Sequence, residues 1–294
     1  MVIFLVRYDI AIIGTGPAGI SAAVTAKIRG KNIILLGNKN LSDKITRASK
    51  IENYTALPDI SGSELAQHLH SHLESLEIDI TDRRVSTVYA MGSYFAIQAD
   101  EEIIEANSVI VASGVMQGKT LKGEKELLGS GVSYCATCDA RLYRGRKVAV
   151  IGYSDDSAKE AEFLSEIVSE VLFFPMKNGV VPEVRTNIKI INEIPREISG
   201  EKTTSGVVTD ENEYAADCVF VLRDSVLPDT LVPGLETDGS HIKVDLQMRT
   251  NISGVFACGD IAGKPYQYIK AAGQGNVAAL SAVEYLSHTS KNNS

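Results

Sequence analysis

The residues best suited to chemistry are Cys135-Ala136-Thr137-Cys138-Asp139. Two thiols with two residues between them can close a small disulfide and reopen it by thiol–disulfide exchange. An acid directly after the second cysteine can deliver or remove the proton that exchange requires. The same spacing also serves zinc ribbons and haem sites. Zinc would need a second ligand pair, and the remaining cysteines, Cys218 and Cys258, stand singly. No histidine follows Cys138, which argues against a c-type haem. What remains is a redox dithiol, weighed against an inert pair of core cysteines.

Such a pair must be positioned, and the N-terminal part of the chain reads as a nucleotide-binding frame. Residues 8–37 read as strand (Asp9 to Ile13), glycine turn, helix after Pro17, and second strand (Asn32 to Leu36). The turn is Gly14-Thr15-Gly16-Pro17-Ala18-Gly19. Its first glycine permits the tight turn, the second lets backbone approach a pyrophosphate, and the third lets helix and strand pack closely. The helix N-terminus then points at the anion. The acid expected about 20 residues on, to hold a ribose hydroxyl, is replaced by Gly37-Asn38, and Asn38 can still hydrogen-bond a ribose.

A helix is expected from Ile60 to Leu76, with His68 and His72 on one face and His70 turned away, which fits a solvated face better than a metal site. Three short strands follow, about Arg84–Tyr89, Tyr94–Ala99 and Glu102–Glu105. A separate apolar strand then runs over 108–114 and ends in a small-residue turn. After the CxxC the order recurs: strand Arg146 to Ile151, helix Asp155 to Ile167, strand Glu170 to Phe174, a meander through Ile188, Ile194 and Val207, and the strand 218–222. The last segment carries Phe256-Ala257-Cys258-Gly259-Asp260 and a helix from about Gln267 to Leu286. The expected class is α/β, two doubly wound three-layer nucleotide-binding-type domains with the second inserted in the first. The expected boundaries are 1–117 with 245–294 for the first domain and 118–244 for the second.

At 294 residues the chain can hold two modest domains, and 44% hydrophobic with 22% charged residues is ordinary for a globular protein. A net charge of −8 argues against non-specific nucleic-acid binding. The apolar start lacks a basic n-region and cleavage site, so it reads as structure rather than a signal peptide. No apolar run approaches the ~18 residues of a membrane span. Four cysteines, two at redox spacing, fit a reducing cytoplasm. Lys27, Arg29, Lys31, Lys39, Lys44, Arg47 and Lys50 face one acid, Asp43, and Arg141, Arg144, Arg146 and Lys147 follow the CxxC. These are either scattered solvated charges or a docking field for an acidic partner.

With the pieces placed, the chain resembles the low-molecular-weight thioredoxin reductases over essentially its whole length. The motifs that carry the resemblance are GTGPAG at 14–19, VASG at 111–114, SYCATCDA at 133–140, FACGD at 256–260 and AAGQG at 271–275. The resemblance implies FAD held by Gly14, Gly16, Pro17, Ala18, Gly19, Asn38, Ala112, Ser113, Gly114, Gly259, Asp260 and Ala271. It also implies that Cys135 and Cys138 shuttle electrons between flavin and thioredoxin, with Asp139 as proton donor. Cys138 is then the cysteine nearer the flavin and Cys135 the attacker. A homodimer is expected on the same basis, and no metal.

The second domain departs from the pattern. Where a second glycine loop should bind NADPH, the chain reads Gly152-Tyr153-Ser154-Asp155-Asp156-Ser157. Asp155 and Asp156 add negative charge where a pyrophosphate would sit, and at ~4 Å with an effective dielectric near 20 each such contact costs about 4 kcal/mol. The arginine cluster that grips a 2′-phosphate is reduced to Lys177 in Phe173-Phe174-Pro175-Met176-Lys177. In this respect the chain resembles the ferredoxin-dependent flavin thioredoxin reductases. A ferredoxin near −400 mV could reduce a thioredoxin disulfide near −270 mV, a gap of about 6 kcal/mol for two electrons. Reduced ferredoxin is the expected donor. The rivals are an NADPH-dependent reductase with atypical contacts, a flavin-dependent dithiol oxidase and a non-catalytic redox sensor.

Overall fold

The computed structural model describes residues 7–46, 48–115, 120–183, 185–223 and 227–292; the side chains of 43, 44, 138 and 290–292 lie outside that description. The chain forms two compact units, Met1–Val115 with Leu227–Ser294, and Met116–Val226.

The first unit opens with β1 (Arg7–Ile13), α1 (Pro17–Ile28) and β2 (Ile33–Leu36). β1 and β2 run parallel, Ile10 opposite Ile33 and Ile13 opposite Leu36. After the short α2 (Asp43–Thr46) comes α3 (Gly62–Ser75). A capping box starts α3: the Ser61 hydroxyl accepts from Glu64 N–H at 3.2 Å, and the Glu64 carboxylate accepts from Ser61 N–H at 2.9 Å. His68 and His72 are exposed on this helix, and among the described residues no group of side chains is arranged to hold a metal. β3 (Ile80–Thr81) extends the sheet beside β2.

β4 (Val85–Ala90), β5 (Phe95–Ala99) and β6 (Glu102–Val111) follow. The sequence suggested two strands where β6 is a single one. It pairs parallel with β1 from Glu105 to Val111 and antiparallel with β5 from Glu102 to Ala106. Its burial alternates as far as Asn107, and its last four residues, 108–111, are wholly buried. A change of burial pattern within one strand thus reads locally as two strands.

The second unit contains β7 (Val132–Ser133), α4 (Ala136–Asp139), β8 (Lys147–Gly152), α5 (Ser157–Ser165), β9 (Glu170–Pro175) and β10 (Ile188–Ile190). An antiparallel meander of β11 (Pro195–Gly200), β12 (Thr204–Thr209) and β13 (Glu213–Ala215) then leads to β14 (Cys218–Leu222). The parallel sheet has the order β10-β9-β8-β14-β7. Ile188 therefore joins this sheet beside β9 instead of the expected meander. Alternation sends Val148, Val150, Phe173 and Phe220 to one face, with Ala161 and Leu164 of α5. Ala149, Ile151, Phe174 and Val221 go to the other, against Ile198 and Val207 of the meander. Burial on both faces explains the unbroken apolar runs.

The chain then returns to the first unit through α6 (Pro228–Leu231), β15 (Thr237–Asp238), β16 (His241–Ile242), β17 (Val255–Ala257) and α7 (Tyr268–Asn292). β17 pairs parallel with Val109–Val111, on the edge of β6 that β5 has left. The return comes at Leu227, earlier than residue 245, because α6 packs on β4 and β16 on the turn after β17. No helix among the described residues is long and apolar enough to cross a membrane. The architecture is the α/β nucleotide-binding type expected, with parallel cores in both units.

Candidate active site

In the first unit the strand order reverses between β1 and β6, so the crevice beyond their carboxyl ends is where such sheets bind ligands. Gly14 leaves β1 at φ +117°, and a Cβ there would lie 2.3 Å from the Ala112 carbonyl oxygen. A Cβ on Gly19 would lie 1.8 Å from the Gly14 oxygen. These two glycines close the turn against β6 and α1. Among the described residues Gly16 and Gly114 instead border open space: the nearest atom to a Gly16 Cβ is Ser42 Cβ at 4.0 Å, and nothing lies within 4 Å at Gly114. α1 starts with Pro17, no acid in its first turn and no side-chain cap, which leaves its first amides to an external anion.

Ala18 is where the separate motifs meet. A Cβ on Gly259 (φ +83°) would lie 2.8 Å from Ala18 Cβ, and one on Gly275 would lie 2.0 Å from the Ala18 oxygen. The Gly259–Ala262 turn is then pinned by α7. Gly259 N–H donates to Gln274 Oε1 at 3.0 Å, while Lys270 Nζ donates to the carbonyls of Gly259 at 2.9 Å and Gly263 at 2.6 Å. Burial pushes the Lys270 ammonium pKa down, against the pull of Asp260. Sequence reading missed Lys270 and Gln274 as supports, although Gln274 stands inside AAGQG. Asn38 is exposed; its backbone oxygen accepts from Thr15 Oγ1 at 2.9 Å and its side-chain oxygen from Asn40 N–H at 2.7 Å. Ala271 is buried at the start of α7.

The second unit has the matching reversal between β8 and β14. There a Cβ on Gly152 would lie 2.5 Å from the Ser157 hydroxyl, and that hydroxyl donates to the Ser154 carbonyl at 2.7 Å. Tyr153 and Ser154 N–H both donate to the Leu222 carbonyl, at 2.8 and 3.2 Å. Ser113 Oγ in the first crevice and Ser154 Oγ in the second are each buried without a hydrogen-bond partner among the described residues. An orphaned hydroxyl therefore does not separate the two crevices; their walls do. The first is an open glycine cradle that fits a dinucleotide pyrophosphate; in the second, the positions of Gly16 and Gly19 are taken by the buried side chains of Ser154 and Ser157.

One electrostatic expectation needs correction. Asp155 is not a bare charge: Lys177, the cation left from the missing arginine cluster, pairs with it at 2.6 Å. Asp156 meets Lys159 at 3.4 Å in a largely exposed pair of little energetic weight. The obstacle to a phosphate here is thus chiefly steric, with Lys177 already engaged.

The dithiol motif lies in the second unit, Cys135 directly before α4 and Cys138 within it. Cys135 is disulfide-bonded, whereas Cys218 and Cys258 are free and buried. The side chain of Cys138 lies outside the described residues. Ser133, at the end of β7, organises the motif. Its hydroxyl donates to Asp139 Oδ2 at 2.7 Å and accepts from Cys135 N–H at 3.1 Å. Thr137 Oγ1 lies 3.4 Å from Cys135 Sγ. Burial pushes the thiols of Cys218 and Cys258 up to about 12, so both stay protonated and inert at neutral pH. The native, reduced protein should therefore release thiol-reagent colour from two cysteines, with the remaining two of its four reacting only after denaturation. More than two fast thiols before unfolding would contradict this burial.

Of the basic stretches, Lys50 is held by Glu52 and Asp59, Arg146 by Asp217 and Lys147 by Glu170. Arg29, Lys39, Arg141 and Arg144 are exposed. Arg47 and the side chain of Lys44 lie outside the described residues.

Comparison with known proteins places these features in context. The sequence pattern of the pyridine nucleotide-disulphide oxidoreductase family matches residues 8–275. The thioredoxin reductase of Helicobacter pylori is 33% identical over 309 residues, covering 95% of this chain and 99% of that one. That of Aquifex aeolicus is 32% identical over 306 residues, covering 97% and 95%. Among solved structures, a ferredoxin-flavin thioredoxin reductase from Clostridium acetobutylicum is 49% identical with a TM-score of 0.93, covering 97% of this chain and 99% of that chain. A thioredoxin reductase from Gloeobacter violaceus is 28% identical with a TM-score of 0.82, covering 96% and 95%.

Proposed function

The chain belongs to the pyridine nucleotide-disulphide oxidoreductase family, and from that premise we propose that it is a thioredoxin-disulfide reductase that holds FAD in its first unit and takes electrons from reduced ferredoxin. The observation that carries this reading is the contrast between the two crevices. Gly16 and Gly114 leave the first open, while in the second the position of Gly16 carries the buried side chain of Ser154. The likeness to the Clostridium acetobutylicum ferredoxin-flavin enzyme supports it.

FAD, when bound, supplies the conversion between single-electron delivery and the two-electron reduction of a disulfide. Gly14, Gly16, Pro17, Ala18 and Gly19 would hold its pyrophosphate, Asn38 a ribose, and Ala112, Ser113, Gly114, Gly259, Asp260 and Ala271 the remaining walls. Two electrons and two protons convert the Cys135–Cys138 disulfide to a dithiol. The Cys135 thiolate then attacks the disulfide of thioredoxin, forming a mixed disulfide and releasing one thioredoxin thiolate. Cys138 attacks Cys135 sulfur, restores the enzyme disulfide and releases the second. Asp139, steadied by Ser133, donates the proton that the departing thiolate takes up.

Asp139→Asn should lower thioredoxin reduction about 100-fold, the low end for general acid catalysis. Ser133→Ala should lower it about 10-fold and shift the pH profile, with recovery in Ser133→Thr. A Ser133→Ala pH profile superimposable on the wild type would exclude the positioning role. An acidic ferredoxin drawn to the exposed Arg141 and Arg144 that follow the dithiol motif should associate more slowly as salt rises. The overall reading is tested by reconstitution: reduced ferredoxin, this protein and oxidised thioredoxin should yield free thioredoxin thiols, and omission of ferredoxin in favour of NADPH should not. Thiol production from NADPH alone would refute the donor assignment.

A further inference from the structure

The crevice beyond the carboxyl ends of β8 and β14 is filled by three side chains distant in sequence. Arg223 directly follows β14. Its Nη1 donates to Glu124 Oε1 at 2.5 Å and its Nη2 to Glu124 Oε2 at 2.9 Å, a bidentate pair. The two side chains are 3% and 0% exposed. Glu124 Oε2 is further anchored by Leu121 N–H at 2.8 Å. The Arg223 guanidinium also lies over Tyr153, its Cζ 4.7 Å from the ring centroid. Tyr153 is the first residue beyond β8, tied to Leu222 of β14 by its N–H. All three groups therefore gather where the strand order reverses.

A guanidinium at that position is the group with which a protein grips phosphate in two parallel hydrogen bonds. Here both bonds are taken by an internal carboxylate, and an aromatic ring covers the cation's face. We propose that Glu124, Arg223 and Tyr153 determine donor selectivity: Glu124 supplies the anion that Arg223 would otherwise take from a dinucleotide, and Tyr153 occupies the space such a ligand would need. The second unit rejects nicotinamide dinucleotides because its site is already filled, and not only because a glycine loop is missing. This inference rests on the proposed non-nicotinamide donor.

The test titrates the FAD-loaded full chain by calorimetry with two probes, inorganic pyrophosphate and ADP. Wild type and Tyr153→Ala should bind neither. Glu124→Gln keeps the side chain's volume but frees the cation's charge, so pyrophosphate should bind at least tenfold more tightly than to wild type, and ADP should not. Glu124→Gln combined with Tyr153→Ala should bind both, and adding Arg223→Met should abolish the gain. Should the double variant fail to fold, judged by circular dichroism and FAD content, the Glu124→Gln titration with pyrophosphate decides alone. Binding of ADP by wild type, or no gain in folded Glu124→Gln, overturns the proposal. Bleaching of the wild-type flavin by NADPH would instead overturn the donor reading, so the two can fail separately.

Discussion

Mixed anaerobically with reduced ferredoxin, the holoenzyme should lose its oxidised-flavin absorbance within seconds, while excess NADPH or NADH leaves it oxidised over the same interval. The expectation follows from what the second unit offers a nucleotide. Its turn carries the buried Ser154 side chain where the first unit has Gly16, Lys177 just after β9 is held by Asp155, and Arg223 is held by Glu124. A hydrogen bond to a charged group contributes about 1.5–3 kcal/mol, so the absence of even two phosphate contacts weakens binding by roughly 100-fold or more. Bleaching at comparable rates by NADPH would mean that the nucleotide enters by a route the closed crevice does not describe, and an ordinary pyridine-nucleotide reductase would be the better account. Bleaching by neither donor would remove ferredoxin while leaving the fold and the dithiol untouched.

Replacing either motif cysteine should abolish thioredoxin reduction, by at least about 1,000-fold in turnover, because no other thiol can complete the exchange. Cys218 and Cys258 are buried with thiol pKa values pushed to about 12, so neither can substitute. The two replacements should differ in a second readout. Cys138→Ser leaves Cys135 able to attack but unable to be released, so incubation with oxidised thioredoxin should trap a mixed disulfide visible on a non-reducing gel. Cys135→Ser should trap none. The opposite pattern would assign attack to Cys138, and traps in neither would remove covalent exchange from the mechanism. In both variants ferredoxin should still bleach the flavin, which separates loss of the dithiol from loss of the fold.

The sequence by itself determined the pieces whose physics is local. Gly14 and Gly19 are dictated by a turn too tight for a side chain, and the alternation in β8 and β9 by burial on two faces. The helix expected from Ile60 to Leu76 is α3, whose start is fixed by the Ser61–Glu64 capping box, closed within one helical turn. The chemistry of the CxxC and the loss of the second glycine loop were legible for the same reason: each depends on residue type and spacing over a few positions.

What only the tertiary structure decided are the encounters between distant segments. Ala18 receives Gly259 and Gly275 because α7 crosses α1, and no spacing within either motif reveals that crossing. The single strand β6 was misread as two because its edge changes partner from β5 to β17 midway along it. Asp155 looked like an unopposed charge until the fold brought Lys177 to it, and Glu124 gave no sign of its partner Arg223, 99 positions away. The pairing of Glu124 with Arg223, unlike the half-exposed Asp155–Lys177 contact, is set by the cost of leaving either charge alone away from water, a cost that exists only once the core has closed around both.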